Sequence, residues 1–358
     1  MAPLPPLHVY EHIHERVLPA FPGLRNATVG PLGNGLINQT FLVEQHAERF
    51  VLQRLAPIFP ASINENIAVV TARLASAGLT TPLLLQTFDG RPCLDLGPEG
   101  GVWRLQTYVP GTSFDKVQSP QQAKAAGELI GRFHGALDGL GHGFVGLRLG
   151  VHDTDSHLAN LRGALARHPQ HRLYEQARAL AEAILARAQE MTPLPELPPR
   201  ICHGDLKLNN VLFAGERSPS SEIAVCLIDL DTVGPMSLAF ELGDAWRSWC
   251  NRSGEDSPQA HVDLEVMRAS LEGYGEGIGH PLSAIERRAL LGAVEWISLE
   301  LAARFLSDAL DESYFGWNSR WYPTRGEHNL VRARGQFALH EAFLKTRQER
   351  AEILVVAA

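Results

Sequence analysis

Apolar and polar residues alternate in short runs over the first hundred positions, then recur at spacings of three and four through most of the remainder. Residues 8–18 carry a short helical pattern between prolines. An apolar run then leads into Gly33-Asn34-Gly35, followed by Thr40-Phe41-Leu42-Val43, a polar tip at 45–48, and Phe50-Val51-Leu52. Runs of this kind predict three antiparallel strands with a glycine loop between the first two. A helix is predicted over 62–77 and a further strand over 103–109, ended by Pro110-Gly111. From Pro120 onward Leu129, Ile130, Phe133, Leu137 and Leu140 form a core-facing helical stripe. A proline-rich lead at 192–200 precedes a strand hairpin, with Val211-Leu212-Phe213 in one arm and Ile223, Val225, Leu227 and Ile228 in the other. Beyond Asp231 the pattern is helical, with 296–310 the strongest stretch. The expectation is an α/β (α+β) chain with a helical extension (1–26), a small antiparallel sheet lobe (27–110) and a larger, mainly helical lobe (111–358).

Two polar clusters interrupt the hairpin. His203-Gly204-Asp205 precedes its first arm, with Asn210 five residues after that aspartate, and Asp229 closes its second. Phosphoryl transfer asks for an aspartate at the acceptor hydroxyl, and for an asparagine and a second aspartate to hold Mg²⁺ against the nucleotide phosphates. Asp205, Asn210 and Asp229 match those roles in order, and His-x-Asp-x-x-x-x-Asn is the spacing of a kinase catalytic loop. The plainer alternative is a polar turn whose Asp and Asn bond local backbone. Three such residues in one ordered motif favour the chemical reading.

HGDLKLNNVLF followed by LIDLDT resembles the aminoglycoside phosphotransferase and choline kinase superfamily, which has a two-lobed protein-kinase-like fold. Asn209-Asn210 and Asp229-Leu230-Asp231-Thr232 resemble its N-acetylhexosamine 1-kinase branch, as do Arg304-Phe305-Leu306-x-Asp308, Tyr314-Phe315 and the segment from His328 to Arg334. The resemblance implies ATP and Mg²⁺ as cofactors and a small-molecule acceptor, an amino sugar in that branch, phosphorylated on its anomeric hydroxyl. The runners-up are another small alcohol (choline, homoserine, methylthioribose or an aminoglycoside) and a pseudokinase-like nucleotide or sugar binder.

Further residues then acquire expected roles. Gly33 and Gly35, with Ile37 and Asn38, match the family's glycine loop over the nucleotide phosphates, although a simple hairpin turn predicts the same glycines. The third strand offers no lysine where the kinase pattern has one. Alternation puts Gln53 and Arg54 on opposite faces, and Arg54 is the expected phosphate cation because its fork of donors suits phosphate. Glu65 either pairs with that cation or closes a capping box with Ser62. Backbone groups at Gln106, Tyr108 and Val109 are expected to hold adenine at a hinge, a role resting on the resemblance. Asp231 is either an extra metal or substrate contact or a solvated turn acid. Asp244, in Gly243-Asp244, matches an acid that braces the family's catalytic loop. In the hexosamine branch the residues matching Arg304 and Tyr314 contact the sugar, while Glu300, one turn earlier, offers Arg304 an ordinary helix ion pair. His134 is expected to be a buried, hydrogen-bonded histidine.

Composition narrows the remaining classes. The chain has 358 residues, 45% hydrophobic and 20% charged, with a net charge of −8. That length allows more than one lobe. The acidic balance, without a run of Lys and Arg, argues against a nucleic-acid partner. No apolar run reaches the ~20 residues that span a bilayer, and the start of the chain lacks a signal-peptide pattern. Scattered Cys93, Cys202, Cys226 and Cys250, with no Cys-x-x-Cys, fit reduced thiols and a cytoplasmic setting.

Overall fold

The computed structural model of the chain describes residues 6–33, 38–148, 150–215 and 222–356. It divides into two compact units. One comprises Met1–Gly111, Ala136–Leu147 and Cys226–Gly234; the other comprises Thr112–Gly135, Arg148–Val225 and Pro235–Ala358.

The first unit opens with α1 (Leu7–His12), which runs on through tighter and wider turns to Ala20. The strands β1 (Thr28–Pro31), β2 (Gln39–Gln45) and β3 (Glu48–Arg54) follow, then α2 (Ile63–Ser76), β4 (Leu84–Leu85), β5 (Leu94–Asp95), the single turn α3 (Gly97–Gly100) and β6 (Val102–Thr107). They form one antiparallel sheet in the order β1-β2-β3-β6-β4, with β5 also on β6. The expected three strands and the fourth are present; β4 and β5, two residues each, were too short for periodicity to show. Register makes the two faces unlike. Phe41 pairs with Leu52 and Arg54 with Trp103, so these residues share one face. Ile13, Val17, Leu18 and Phe21 bury against that face with Phe41, Val43, Leu52, Trp103 and Leu105. The N-terminal extension is therefore the cover of the sheet, each such side chain contributing about 1.5–3 kcal/mol. The opposite face carries Thr40, Val51, Gln53, Arg104 and Gln106.

In the second unit α4 (Pro120–Leu137), α5 (Thr154–Arg167) and α6 (Tyr174–Glu190) lead to β7 (Arg200–Cys202), β8 (Val211–Phe213) and β9 (Ala224–Leu227). The expected hairpin forms at 211–227, where Ala214 N–H donates to Ile223 O at 2.9 Å. The strand β9 carries the chain from the second unit into the first. Asp229 and Asp231 accordingly belong to the first unit, Asp205 and Asn210 to the second. After β10 (Gly234–Met236) come α7 (Leu238–Trp249), α8 (Leu264–Ile278), α9 (Ala284–Asp311), α10 (Arg325–Lys345) and α11 (Arg347–Val356).

The 28-residue α9 is the axis of this unit. Its Leu299, Ala302, Ala303, Phe305 and Leu306 pack with Leu158 and Leu161 of α5, Ala177 and Ile184 of α6, and Leu330 of α10. A true capping box at Ser283 and Glu286 starts it. The helices α4 and α8 meet through glycines: a Cβ on Gly127 would lie 2.0 Å from Ser270 O, and one on Gly273 2.0 Å from Lys124 O. Such backbone-to-backbone approach excludes any larger residue. Among the described residues no helix is long and apolar enough to cross a membrane.

Candidate active site

The short strand β7 delivers the chain into the His203–Asn210 loop, whose shape is held from several sides. Gly204 has φ 82°, a left-handed backbone that glycine enters without Cβ strain. The Glu241 carboxylate on α7 accepts from His203 N–H at 2.7 Å and Gly204 N–H at 2.9 Å. Trp249 Nε1–H, on the same helix, donates to Leu206 O at 2.8 Å. The acid bracing the loop is thus Glu241, where the sequence pointed to Asp244. Asp244 instead pairs with Arg247 at 2.9 Å. Burial raises the Asp244 pKa, but Arg247, His152 and Lys207 outweigh it and hold the carboxyl below its usual value. Nothing local in the sequence marks Glu241, which acts 38 residues from His203.

Glu241 is fully buried, and burial alone would raise its pKa. His134, at 3.3 Å and itself bonded to Tyr274 Oη at 3.0 Å, together with His203 and the Gly204 N–H, holds it below the usual carboxylate range. His134 is the buried, hydrogen-bonded histidine expected. Cys202 also lies close to His134 and Glu241. Burial first, and then Glu241, push its thiol well up, and Sγ donates to Met236 O at 3.6 Å. His134 and Glu241 form the hydrogen-bonded brace, with Cys202 packed beside them. Glu241→Gln should lower unfolding stability at pH 7 by about 3 kcal/mol, because an amide cannot accept from two N–H donors with charge. A carboxylate with a depressed folded pKa stabilises above its unfolded value and loses that contribution as pH falls through the folded one. The gap between parent and variant in denaturant unfolding should therefore narrow below about pH 4. A constant gap across that range would exclude charge as its source.

Within the braced loop Asp205 is partly exposed, its carboxylate 2.9 Å from Lys207 Nζ. Asn210 Nδ2 donates to Asp205 O at 2.8 Å. That bond commits the amide nitrogen and leaves Oδ1 as the donor on offer. An amide oxygen is a hard oxygen donor of the kind Mg²⁺ takes, as is a carboxylate. In the first unit Asp229 has φ 64° and ψ 56°, left-handed for a residue with a side chain, and begins the turn Leu230–Thr232.

Asp231 ends two residues further on in a buried polar cluster. Its Oδ1 pairs with Arg104 Nη1, and its Oδ2 accepts from Asn38 Nδ2 at 2.6 Å. Arg104 Nε and Nη2 donate to Gln53 Oε1 at 2.8 and 2.7 Å. Asn38 Oδ1 accepts from Ala56 N–H at 2.9 Å. Arg54 points the other way, into the covered face. Its guanidinium lies 5.8 Å from the Trp103 ring and donates to Glu99 O at 3.3 Å. Glu65 is exposed, and Ser62 makes no side-chain cap bond, so of the two alternatives for Glu65 the capping box at α2 does not form. Gly33 has φ 71° with open space around it, whereas Gly35 and Ile37 lie outside the described residues. Gln106 shares the face of Gln53 and Arg104. Tyr108 N–H donates to Arg49 O at 3.2 Å, and Val109 is half-buried.

The residues from the far end of the sequence gather in the second unit. Asp308 accepts from the N–H groups of Ser313, Tyr314 and Phe315 at 2.7–2.8 Å and from Asn329 Nδ2 at 2.8 Å. This fixes the aromatic loop against α9. The Arg304 guanidinium lies 5.7 Å from the Phe315 ring, and Tyr314 Oη accepts from Arg148 Nη2 at 2.9 Å. Glu300 is nearer to Thr154 Oγ1 (2.8 Å) and His152 Nδ1 (3.2 Å) than to Arg304 (3.8 Å). The helix ion pair exists, but Arg304 stands further from Glu300 than Thr154 and His152 do, with His157 further still at 4.0 Å. Arg148, His152 and Thr154 had no sequence signal beyond polar character.

The sequence profile described as "Phosphotransferase enzyme family" matches residues 28–279. The fold is similar to that of a microcompartment-associated aminopropanol kinase (TM-score 0.63, 18% identity, 96% of this chain and 98% of that one). It is also similar to an aminoglycoside phosphotransferase from Alicyclobacillus acidocaldarius (0.60, 16%, 98% of each chain). A choline/ethanolamine kinase family protein from Mesorhizobium loti gives 0.54 at 18% identity over 96% of this chain and 98% of its own. At these identities the likeness establishes a kinase-like fold.

Proposed function

This chain belongs to the phosphotransferase enzyme family, and we propose that it is an ATP- and Mg²⁺-dependent kinase of the anomeric hydroxyl of an N-acetylhexosamine. The observation carrying this reading is the braced His203–Asn210 loop, which presents the Asp205 carboxylate from a backbone fixed by Glu241, Trp249 and Asn210. Asp205 accepts the proton of the acceptor hydroxyl. Asn210 and Asp229 are the proposed oxygen ligands of magnesium, which when bound neutralises phosphate charge. The face bearing Gln53, Arg104 and Gln106 is the proposed nucleotide side of the sheet, with Gly33 near the phosphates and Gln106, Tyr108 and Val109 at the adenine. Four buried free cysteines are compatible with a cytoplasmic setting.

The acceptor class rests on Arg304 and Tyr314, which flank Phe315, with Arg148 on the tyrosine hydroxyl. Two guanidinium groups disfavour a cationic acceptor such as choline or an aminoglycoside and suit a neutral one rich in hydroxyl and amide oxygens. A screen of acceptors with ATP and Mg²⁺ should show phosphorylation of N-acetylglucosamine or N-acetylgalactosamine ahead of choline, homoserine, methylthioribose and aminoglycosides. Arg304→Ala should lower that rate ~10–100-fold, the loss of a charge-assisted hydrogen bond, while slow hydrolysis of ATP by water persists. Equal loss of both rates, or a parent inactive on both sugars, would remove the N-acetylhexosamine assignment.

A further inference from the structure

Strand β3 carries no lysine; of its two arginines, Arg54 lies on the covered face and Arg49, on the face of Gln53, is exposed near the start of the strand, over the Tyr108 ring. The buried cation on the face of Gln53 is Arg104 of β6. Gln53 and Arg104 are register partners, so the two side chains meet on the same face, and Gln53 Oε1 accepts both Nε–H and Nη2–H. The third nitrogen, Nη1, pairs with Asp231. Arg104 has no exposed surface and the Asp231 side chain is 3% exposed. Both Asp231 oxygens are occupied by protein donors, Arg104 and Asn38. A carboxylate engaged in this way is poorly disposed to serve as a metal or substrate ligand. It is well disposed to anchor the turn it stands on.

That turn is the one that presents Asp229. Its left-handed backbone, unusual for a residue with a Cβ, persists only where the surroundings over-determine it. Two residues later Asp231 is tied to β6 by Arg104, through Arg104 to β3 by Gln53, and through Asn38 to Ala56 beyond the end of β3. We infer that Arg104 is a positioning residue, supplying from β6 the cation that the Gln53 position of β3 lacks. It acts through Asp231, holding the Asp229-Leu230-Asp231 turn so that the Asp229 carboxylate keeps one orientation. The inference rests on the proposed kinase reading, in which Asp229 binds magnesium.

The charge pair can be removed as a pair. Either single neutral variant leaves a buried charge without its partner and is strongly destabilising. The double variant Arg104→Gln/Asp231→Asn removes both charges and keeps hydrogen-bonding groups of similar size. Thermal shift and calorimetry on purified protein would measure melting temperature, adenosine binding, and the Mg²⁺ concentration at which ATP binding is half-maximal. The expected result is a folded variant that binds adenosine like the parent but needs at least ~10-fold more Mg²⁺ to bind ATP, one such factor corresponding to about 1.4 kcal/mol. A folded double variant with the parent's Mg²⁺ requirement overturns the inference and leaves the kinase reading standing. A parent that shows no Mg²⁺-dependent ATP binding overturns both. Should the double variant fail to fold, Arg104→Lys decides: the charge is kept, but one ammonium cannot reproduce the fork shared between Gln53 and Asp231. A raised Mg²⁺ requirement then supports positioning, and an unchanged one overturns it. Arg54→Met, on the covered face, should leave the Mg²⁺ requirement where it was.

Discussion

Asp205→Asn should fold as the parent does and bind ATP with Mg²⁺ as the parent does, yet turn over ~10²–10⁴-fold more slowly. The structural duties of this residue are carried by its backbone: its carbonyl accepts from Asn210, and its N–H contacts His203 Nδ1. The carboxylate itself meets only Lys207 among the contacts described, and that lysine is 46% exposed. An exposed pair of this kind contributes at most about 1 kcal/mol, so the melting temperature should barely move. What the amide cannot do is take a proton from an acceptor hydroxyl. The expected signature is a fall in kcat with KM for ATP unchanged. Near-parent turnover would remove Asp205 from the chemistry. A matching loss of stability would reassign it to the fold.

The His203–Asn210 loop was legible because its information is local. His203, Asp205 and Asn210 fall within eight positions, and the arms of the hairpin are short apolar runs beside them. The four main strands of the sheet and the stripe along α4 were legible for the same reason, since periodicity reports one element at a time. What holds those elements is not local. Glu241 reaches back 38 residues to His203, Arg104 pairs across 127 residues with Asp231, and Asn38 across 193. No window of sequence contains both members of any such pair.

The choice between Gln53 and Arg54 shows where the limit lies. Alternation correctly put them on opposite faces, but which face is covered depends on Ile13, Val17 and Leu18, whose pattern read only as a leading helix. The strand neighbour that meets Gln53 was equally out of reach until β6 was known to lie beside β3. Similarly, Ser62 and Glu65 had the spacing of a capping box, yet the Ser62 backbone is already helical (φ −63°, ψ −19°), and a cap requires an extended residue there.

Asp229→Asn should abolish Mg²⁺-dependent ATP binding, and with it turnover, while the protein without nucleotide melts where the parent does. The choice of asparagine over alanine follows from the backbone. At φ 64° an alanine carries the left-handed penalty of about 1–2 kcal/mol, which Asn and Asp escape more readily through local hydrogen bonds. Asp229→Ala would therefore mix loss of a ligand with strain in the turn that Asp231 anchors. Asparagine keeps the size, the turn and one oxygen, and removes the charge that neutralises a divalent cation. Binding of adenosine, which carries no phosphate, should survive, because magnesium is needed at the phosphates alone. The decisive comparison is the stabilisation given by ATP with Mg²⁺ against ATP with a chelator, measured on parent and variant. If magnesium adds as much stabilisation to the variant as to the parent, Asp229 is not its ligand. If adenosine binding is lost as well, the residue supports the nucleotide site as a whole rather than its metal.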